Sequence, residues 1–171
     1  MIQQVVMTVL GPDRPGIVEL LAEKIREHQG SWQESRLLHV QDQFAGIVEI
    51  SLPAARRDDF DEALRSLQTE YGLLCQTRGS TAPKAEGKLV RLECIGQDRP
   101  GIVFAISDVF HDLNVNVESL DSSIQSAPMS GETLFCAKFQ VRLPDQLDLQ
   151  DLEQRLSVIG EELMLDLQIE D

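Results

Sequence analysis

The chain has 171 residues, 42% of them hydrophobic, and a net charge of −14. That is apolar enough for one large or two small packed domains, and too apolar for disorder to be the default. Such acidity argues against a surface for DNA or an anionic membrane, because phosphate binding needs clustered Lys and Arg.

Val5, Met7 and Val9 alternate with Val6, Thr8 and Leu10. Both faces are apolar, which predicts a central strand. It runs into Gly11-Pro12-Asp13-Arg14-Pro15-Gly16-Ile17-Val18, read as a strand-to-helix turn. Asp13 is placed to cap the helix and Pro15 to occupy its first turn. Gly16, without a Cβ, lets backbone or ligand approach closely. Ile17, Val18, Leu21 and Ile25 mark the buried helical face, and Gly30 is the expected stop. Trp32 to Val40 reads as an edge strand. Asp42 and Gln43 connect it to a strand with Phe44, Val48, Ile50 and Leu52 inward, ended by Pro53. Phe60, Ala63, Leu64, Leu67 and Tyr71 give a second amphipathic helix, Gly72 closes it, and Leu73 to Arg78 form the last strand.

Gly79 to Gly87 lacks large apolar residues and reads as a linker. The turn then recurs, offset by 85 residues, as Gly96-Gln97-Asp98-Arg99-Pro100-Gly101-Ile102-Val103, identical at seven of eight positions. It again follows a strand (Val90, Leu92, Cys94) and opens a helix (Ile102, Val103, Ile106, Phe110). Val117 takes the place of Trp32. Phe135, Ala137, Phe139, Val141 and Leu143 form a further strand, with an insertion expected in the hairpin Gln125 to Gly131. The helix Leu149, Leu152, Leu156, Ile159 is expected to end at Gly160, and Leu163 to Ile169 to make the final strand.

Each repeat therefore reads β-α-β-β-α-β, an α+β ferredoxin-like unit with an antiparallel four-stranded sheet and both helices on one face. The expected boundaries are 1–79 for the first domain, 80–87 for the linker and 88–171 for the second. Val6, Leu10 and Ile47 in one repeat, and Ile95 and Leu134 in the other, fall on the sheet face away from the helices and call for cover. Helix starts with free N–H groups favour carboxylates or phosphates, so the two turns are the candidate ligand sites.

These residues resemble a tandem ACT-domain protein. The resemblance rests on the doubled Asp-Arg-Pro-Gly-Ile-Val after a first strand, and on Ser31-Trp32-Gln33-Glu34-Ser35-Arg36 and Asn116-Val117-Glu118-Ser119 opening the second strands. Double-ACT chains of this size are similar to the glycine cleavage system transcriptional repressor family. Similar turns occur in regulatory domains of formyltetrahydrofolate deformylase and of nitrogen-sensing nucleotidyltransferases. The resemblance implies a regulator that answers to a small amino acid, glycine foremost, and acts through a partner transcription factor without binding DNA itself. It further implies ligand sites where two ACT domains meet, using Asp13, Arg14, Pro15, Gly16 and Ile17, and Asp98, Arg99, Pro100, Gly101 and Ile102, with Asn116 as the family's Asn. Ser31 stands at that position in the first repeat, a departure from two equivalent sites.

The remaining chemistry is bland. Cys75, Cys94 and Cys136 are an odd number in no metal spacing and read as small core residues of a reduced protein. His28, His39 and His111 stand singly, so no metal site is expected. No nucleophile elbow, phosphate loop or catalytic triad is present, so neither enzymatic activity nor a cofactor is expected. No apolar stretch approaches the roughly 20 residues of a membrane span and no secretory leader is seen, so a cytoplasmic location is the expectation. The rival reading is an amino-acid-sensing accessory subunit of a metabolic enzyme. A homodimer remains open.

Overall fold

The computed structural model describes residues 1–80, 86–127 and 131–170. The chain divides into two compact units, Met1–Pro83 and Lys84–Asp171. Most of the expected linker, and residues 128–130 of the expected insertion, lie outside the described residues.

Unit one runs β1 (Ile2–Pro12), α1 (Ile17–Glu27), β2 (Ser31–Val40), β3 (Gln43–Pro53), α2 (Arg57–Tyr71), β4 (Leu74–Gly79). Unit two repeats the order as β5 (Lys88–Gln97), α3 (Ile102–Asp112), β6 (Asn116–Ser126), β7 (Thr133–Leu143), α4 (Leu149–Leu163), β8 (Leu165–Glu170). The sheets are ordered β2-β3-β1-β4 and β6-β7-β5-β8, with every pairing antiparallel. These are two ferredoxin-like α+β units, as the alternation and helical periods predict.

The register explains why each strand shows its pattern. Val5 pairs with Ile50 and Met7 with Val48 on the helix-facing side, and all four are fully buried. Beneath them lie Leu21, Ile25, Phe60, Leu64 and Leu67. Unit two builds the same layer from Leu92, Phe139, Val141, Ile106, Phe110 and Leu156. Fully burying each large apolar side chain contributes roughly 1.5–3 kcal/mol, so each unit has a core of its own. Trp32 and Val117 sit just before matching irregularities in β2 and β6, where the ladder slips between Trp32 and Ser35 and between Val117 and Ser119. Such bulges twist an edge strand away from flat pairing.

Several local expectations are corrected. Asp13 and Asp98 are not the N-caps: Gly16 and Gly101 are, without a side-chain cap. Pro15 and Pro100 precede the caps instead of standing in the first turn. Gly30 does not terminate α1. Gln29 takes the left-handed conformation, φ 60°, while its N–H bonds Arg26 C=O and Gly30 N–H bonds Ile25 C=O. Asn114, at φ 52°, does the same for α3. This is the paired bonding of a Schellman end. Gly160 lies inside α4, which continues to Leu163; an added Cβ there would stand 3.2 Å from Leu165 C=O, so this glycine permits close packing of helix on strand. Leu163 accordingly belongs to the helix and not to the last strand. Val18, Val103 and Tyr71 are exposed, because they lie on the rim of their helical stripes. Cys136 is only half-buried, since its side chain alternates to the sheet face away from the helices, while Cys75 and Cys94 are buried. That outer face is partly open in both units: Leu10, Ile47 and Ile95 are each more than 40% exposed.

Candidate functional site

Each repeated turn leaves the central strand of its sheet and delivers a helix N-terminus at the sheet's end. Asp13 N–H donates to Asp42 C=O at 2.8 Å, fastening the first turn to the β2–β3 hairpin. Asp98 N–H donates to Thr133 C=O at 2.9 Å and does the same in unit two. The Asp13 carboxylate also lies 3.5 Å from His39 Nε2, which contacts the Gln41 carbonyl. Ile124 holds the position of His39 in unit two at the repeat offset, so this pair has no counterpart there.

Gly16 and Gly101 have φ of 92° and 97°. Apart from the adjacent residues, no atom of the described residues comes within 4 Å of a Cβ built at either. Glycine is therefore required here by backbone conformation and not by crowding inside the unit. The first rungs of α1 and α3 are Leu20 N–H to Gly16 C=O and Ala105 N–H to Gly101 C=O, both 2.9 Å. The N–H groups of Ile17 and Ile102, and the two that follow each, precede those rungs and have no partner within the helix. Both turns thus present donors at the positive end of a helix dipole.

Beyond that shared scaffold, the two turns differ. The Arg14 guanidinium carbon sits 4.4 Å from the ring centre of Tyr71, the last residue of α2. Its Nη2 is shielded from solvent and meets no acceptor among the described residues. The ring face partly offsets that loss, since a cation over an aromatic face gains roughly 0.5–2 kcal/mol. Arg14, Pro15, Gly16, Ile17, Leu20 and Tyr71 line an open concavity of about 280 Å³. In unit two the last residue of the equally long α4 is Leu163, so Arg99 lacks this platform. Tyr71 was legible as a helix-face residue but not as a site residue. The available signal was its place one position before the helix-ending Gly72, at the level of the turn.

Asn116 is placed elsewhere. The register sets it opposite Arg142, whereas Gln97, the last strand residue before the turn, lies opposite Leu134. About eight residues of β7, roughly 25 Å, separate these two levels. Asn116 Nδ2 donates to Glu118 Oε1 at 3.1 Å, and that carboxylate also receives Arg142 Nε at 2.9 Å. Unit two therefore does not bring Asn116 to its own turn.

Among the described residues, no group of three or more His, Cys, Asp and Glu is arranged to hold a metal ion, and no helix is long and apolar enough to cross a membrane. Burial raises the Cys75 and Cys94 thiols to about 11, so at neutral pH they are protonated and poor nucleophiles.

Family models for the ACT domain match residues 3–78 and 90–160. The chain belongs to the ACT-domain family. Its two ACT domains stand in tandem, one in each unit. A crystal structure of a protein of unknown function from Galdieria sulphuraria is 28% identical, with a TM-score of 0.85 over 99% of this chain and 98% of that one. A candidate glycine cleavage system transcriptional repressor is 17% identical, with a TM-score of 0.73 over 99% of this chain and 97% of that one. This second likeness is one of fold. No curated protein sequence matches the chain.

Proposed function

We propose that this ACT-domain regulatory protein senses a small amino acid and controls transcription of glycine cleavage through a partner transcription factor, without touching DNA itself. The observation that carries this reading is the double strand–helix turn. The two ACT domains occupy nearly all of the chain, and each follows its first strand with Asp-Arg-Pro-Gly and a helix start whose first N–H groups have no partner within the helix. A carboxylate suits those donors. The full-length likeness to the candidate repressor supports the transcriptional side by fold alone. The charge of −14 supports action by protein contact.

The first turn is the stronger effector site on this reading. Both turns carry a cation, Arg14 and Arg99, but Tyr71 gives the first an aromatic wall where the second has Leu163. Glycine is the favoured effector by resemblance. Few ligand atoms limit the affinity to about micromolar at best, at a ceiling of roughly −1.5 kcal/mol per heavy atom. The cytoplasm is the proposed location.

Calorimetric titration with each common amino acid tests the sensing step, and a pull-down from the native cell tests the partner. Recovery of a DNA-binding protein supports the reading. Recovery of a metabolic enzyme alone supports the accessory-subunit reading in its place.

A further inference from the structure

The outer edges of the two sheets carry opposite charge at equivalent positions. β4 and β8 are both six residues long, and each lies at the end of its sheet with one side unpaired among the described residues. Their registers match: Leu74 pairs with Leu10 as Asp166 pairs with Ile95, and Arg78 with Val6 as Glu170 with Arg91. Arg78 therefore stands where Glu170 stands in unit two.

The flanking helices follow suit. α2 and α4 are both 15 residues long, so Arg65 and Asp61 correspond to Ser157 and Glu153. Asp61 is already engaged by Arg57 Nε at 2.9 Å and by Thr77 Oγ1. What the β4 edge offers a neighbour is the pair of exposed cations Arg65 and Arg78. The β8 edge offers exposed Glu153 and Asp166, with Glu170 partly offset by Arg91 across the strand pair.

A charged edge ordinarily deters strand addition. Here that holds only for like edges: β4 repels β4 and β8 repels β8, while β4 against β8 brings opposite charges together. We infer that the chain associates with a second copy of itself by antiparallel addition of β4 of one copy to β8 of the other. Aligned end to end, this pairing sets Arg78 opposite Asp166 and Gln76 opposite Gln168 on the outer face. Opposite charges directly across a strand pair favour the pairing, and like charges there oppose it. The occupant is a second copy because the complementary edge is in the chain itself. At physiological salt the Debye length of about 8 Å screens the general repulsion between two acidic chains but leaves contact pairs largely intact.

Sedimentation velocity on the full chain at tens of micromolar decides the matter. The expected result is a mass above one chain that falls toward one chain at about 1 M salt. A chain with Arg65→Glu and Arg78→Glu has two acidic edges. A chain with Glu153→Arg and Asp166→Arg has two basic ones. Each alone should associate at least about tenfold more weakly, and an equimolar mixture of the two should regain association. All four positions are exposed, so the fold should survive, and far-ultraviolet circular dichroism verifies this for each variant. A wild-type chain that stays monomeric at physiological salt overturns the inference. So does association that ignores both double variants, or a mixture that does not recover.

Discussion

Arg14 lies over the Tyr71 ring at 4.4 Å with one guanidinium nitrogen out of solvent and unbonded. The side chain is held in place without being satisfied. An arriving carboxylate could supply the missing acceptor after a small shift of the guanidinium. Replacement of Tyr71 by Leu copies unit two at this point. It should cost about 0.5–1 kcal/mol of stability in unit one and weaken amino-acid binding severalfold. Arg14→Ala should weaken binding more, and Arg99→Ala less. Calorimetry on the three folded variants checks this order. Equal loss from Arg14→Ala and Arg99→Ala would remove the preference for the first turn.

Gly16→Ala and Gly101→Ala should each destabilise their unit by about 1–2 kcal/mol, because a Cβ is disfavoured in the left-handed region even where space is open. Gly11→Ala should cost more. Its Cβ would meet Gly72 C=O at 2.7 Å and Leu73 Cδ2 at 2.8 Å. Denaturant melts should rank Gly11→Ala below Gly16→Ala in stability.

Because the hydrophobic clusters are distinct, Phe60→Ala should unfold unit one selectively at a cost of roughly 3–5 kcal/mol. Calorimetry should then show two transitions, with that of unit two unshifted. One cooperative transition displaced as a whole would show that the units do not unfold separately.

Alkaline pH should destabilise both units. Burial raises the Cys75 and Cys94 thiols in the folded state from the ordinary 9.0 to about 11. Below pH 9 the thiols are protonated in both folded and unfolded chains, and the stability linked to them is fully present. It declines as pH rises from about 9 to about 11, by at most roughly 3 kcal/mol per thiol. Melting at pH 8 and pH 10.5 tests this, with Cys75→Ala and Cys94→Ala flattening the dependence. A thiol reagent at neutral pH should label half-buried Cys136 first.

The isolated chain should give no sequence-specific gel shift at physiological salt, because its charge of −14 opposes a phosphate backbone. A tight, specific shift would replace partner-mediated control with direct operator binding.

Much of this architecture was legible because the signals were periodic. Val5, Met7 and Val9, and Phe60, Leu64 and Leu67, face the core at the spacings their elements require. Local ends were harder to read. Glycines at 30 and 160 look like helix stops, but Gln29 and Met164 take the left-handed positions. There, backbone bonding to the preceding turn outweighs residue preference. The site was legible as a turn but not as an environment. Arg14 meets Tyr71 across about two thirds of the length of unit one, and Asn116 is drawn to Glu118 and Arg142. Such encounters depend on register, which motif spacing does not encode.

The central position of β1 has a consequence during synthesis. Its β3 partner is complete at Pro53, but its other partner, β4, ends only at Gly79. About two dozen residues must be added in between, and at roughly 5–20 residues per second this takes about one to five seconds. For that interval the nascent domain exposes the flank of a strand that belongs in the sheet interior, shielded by nothing that the ribosome has yet released. Slowing translation within α2 should therefore raise misassembly more than the same pause placed after Gly79.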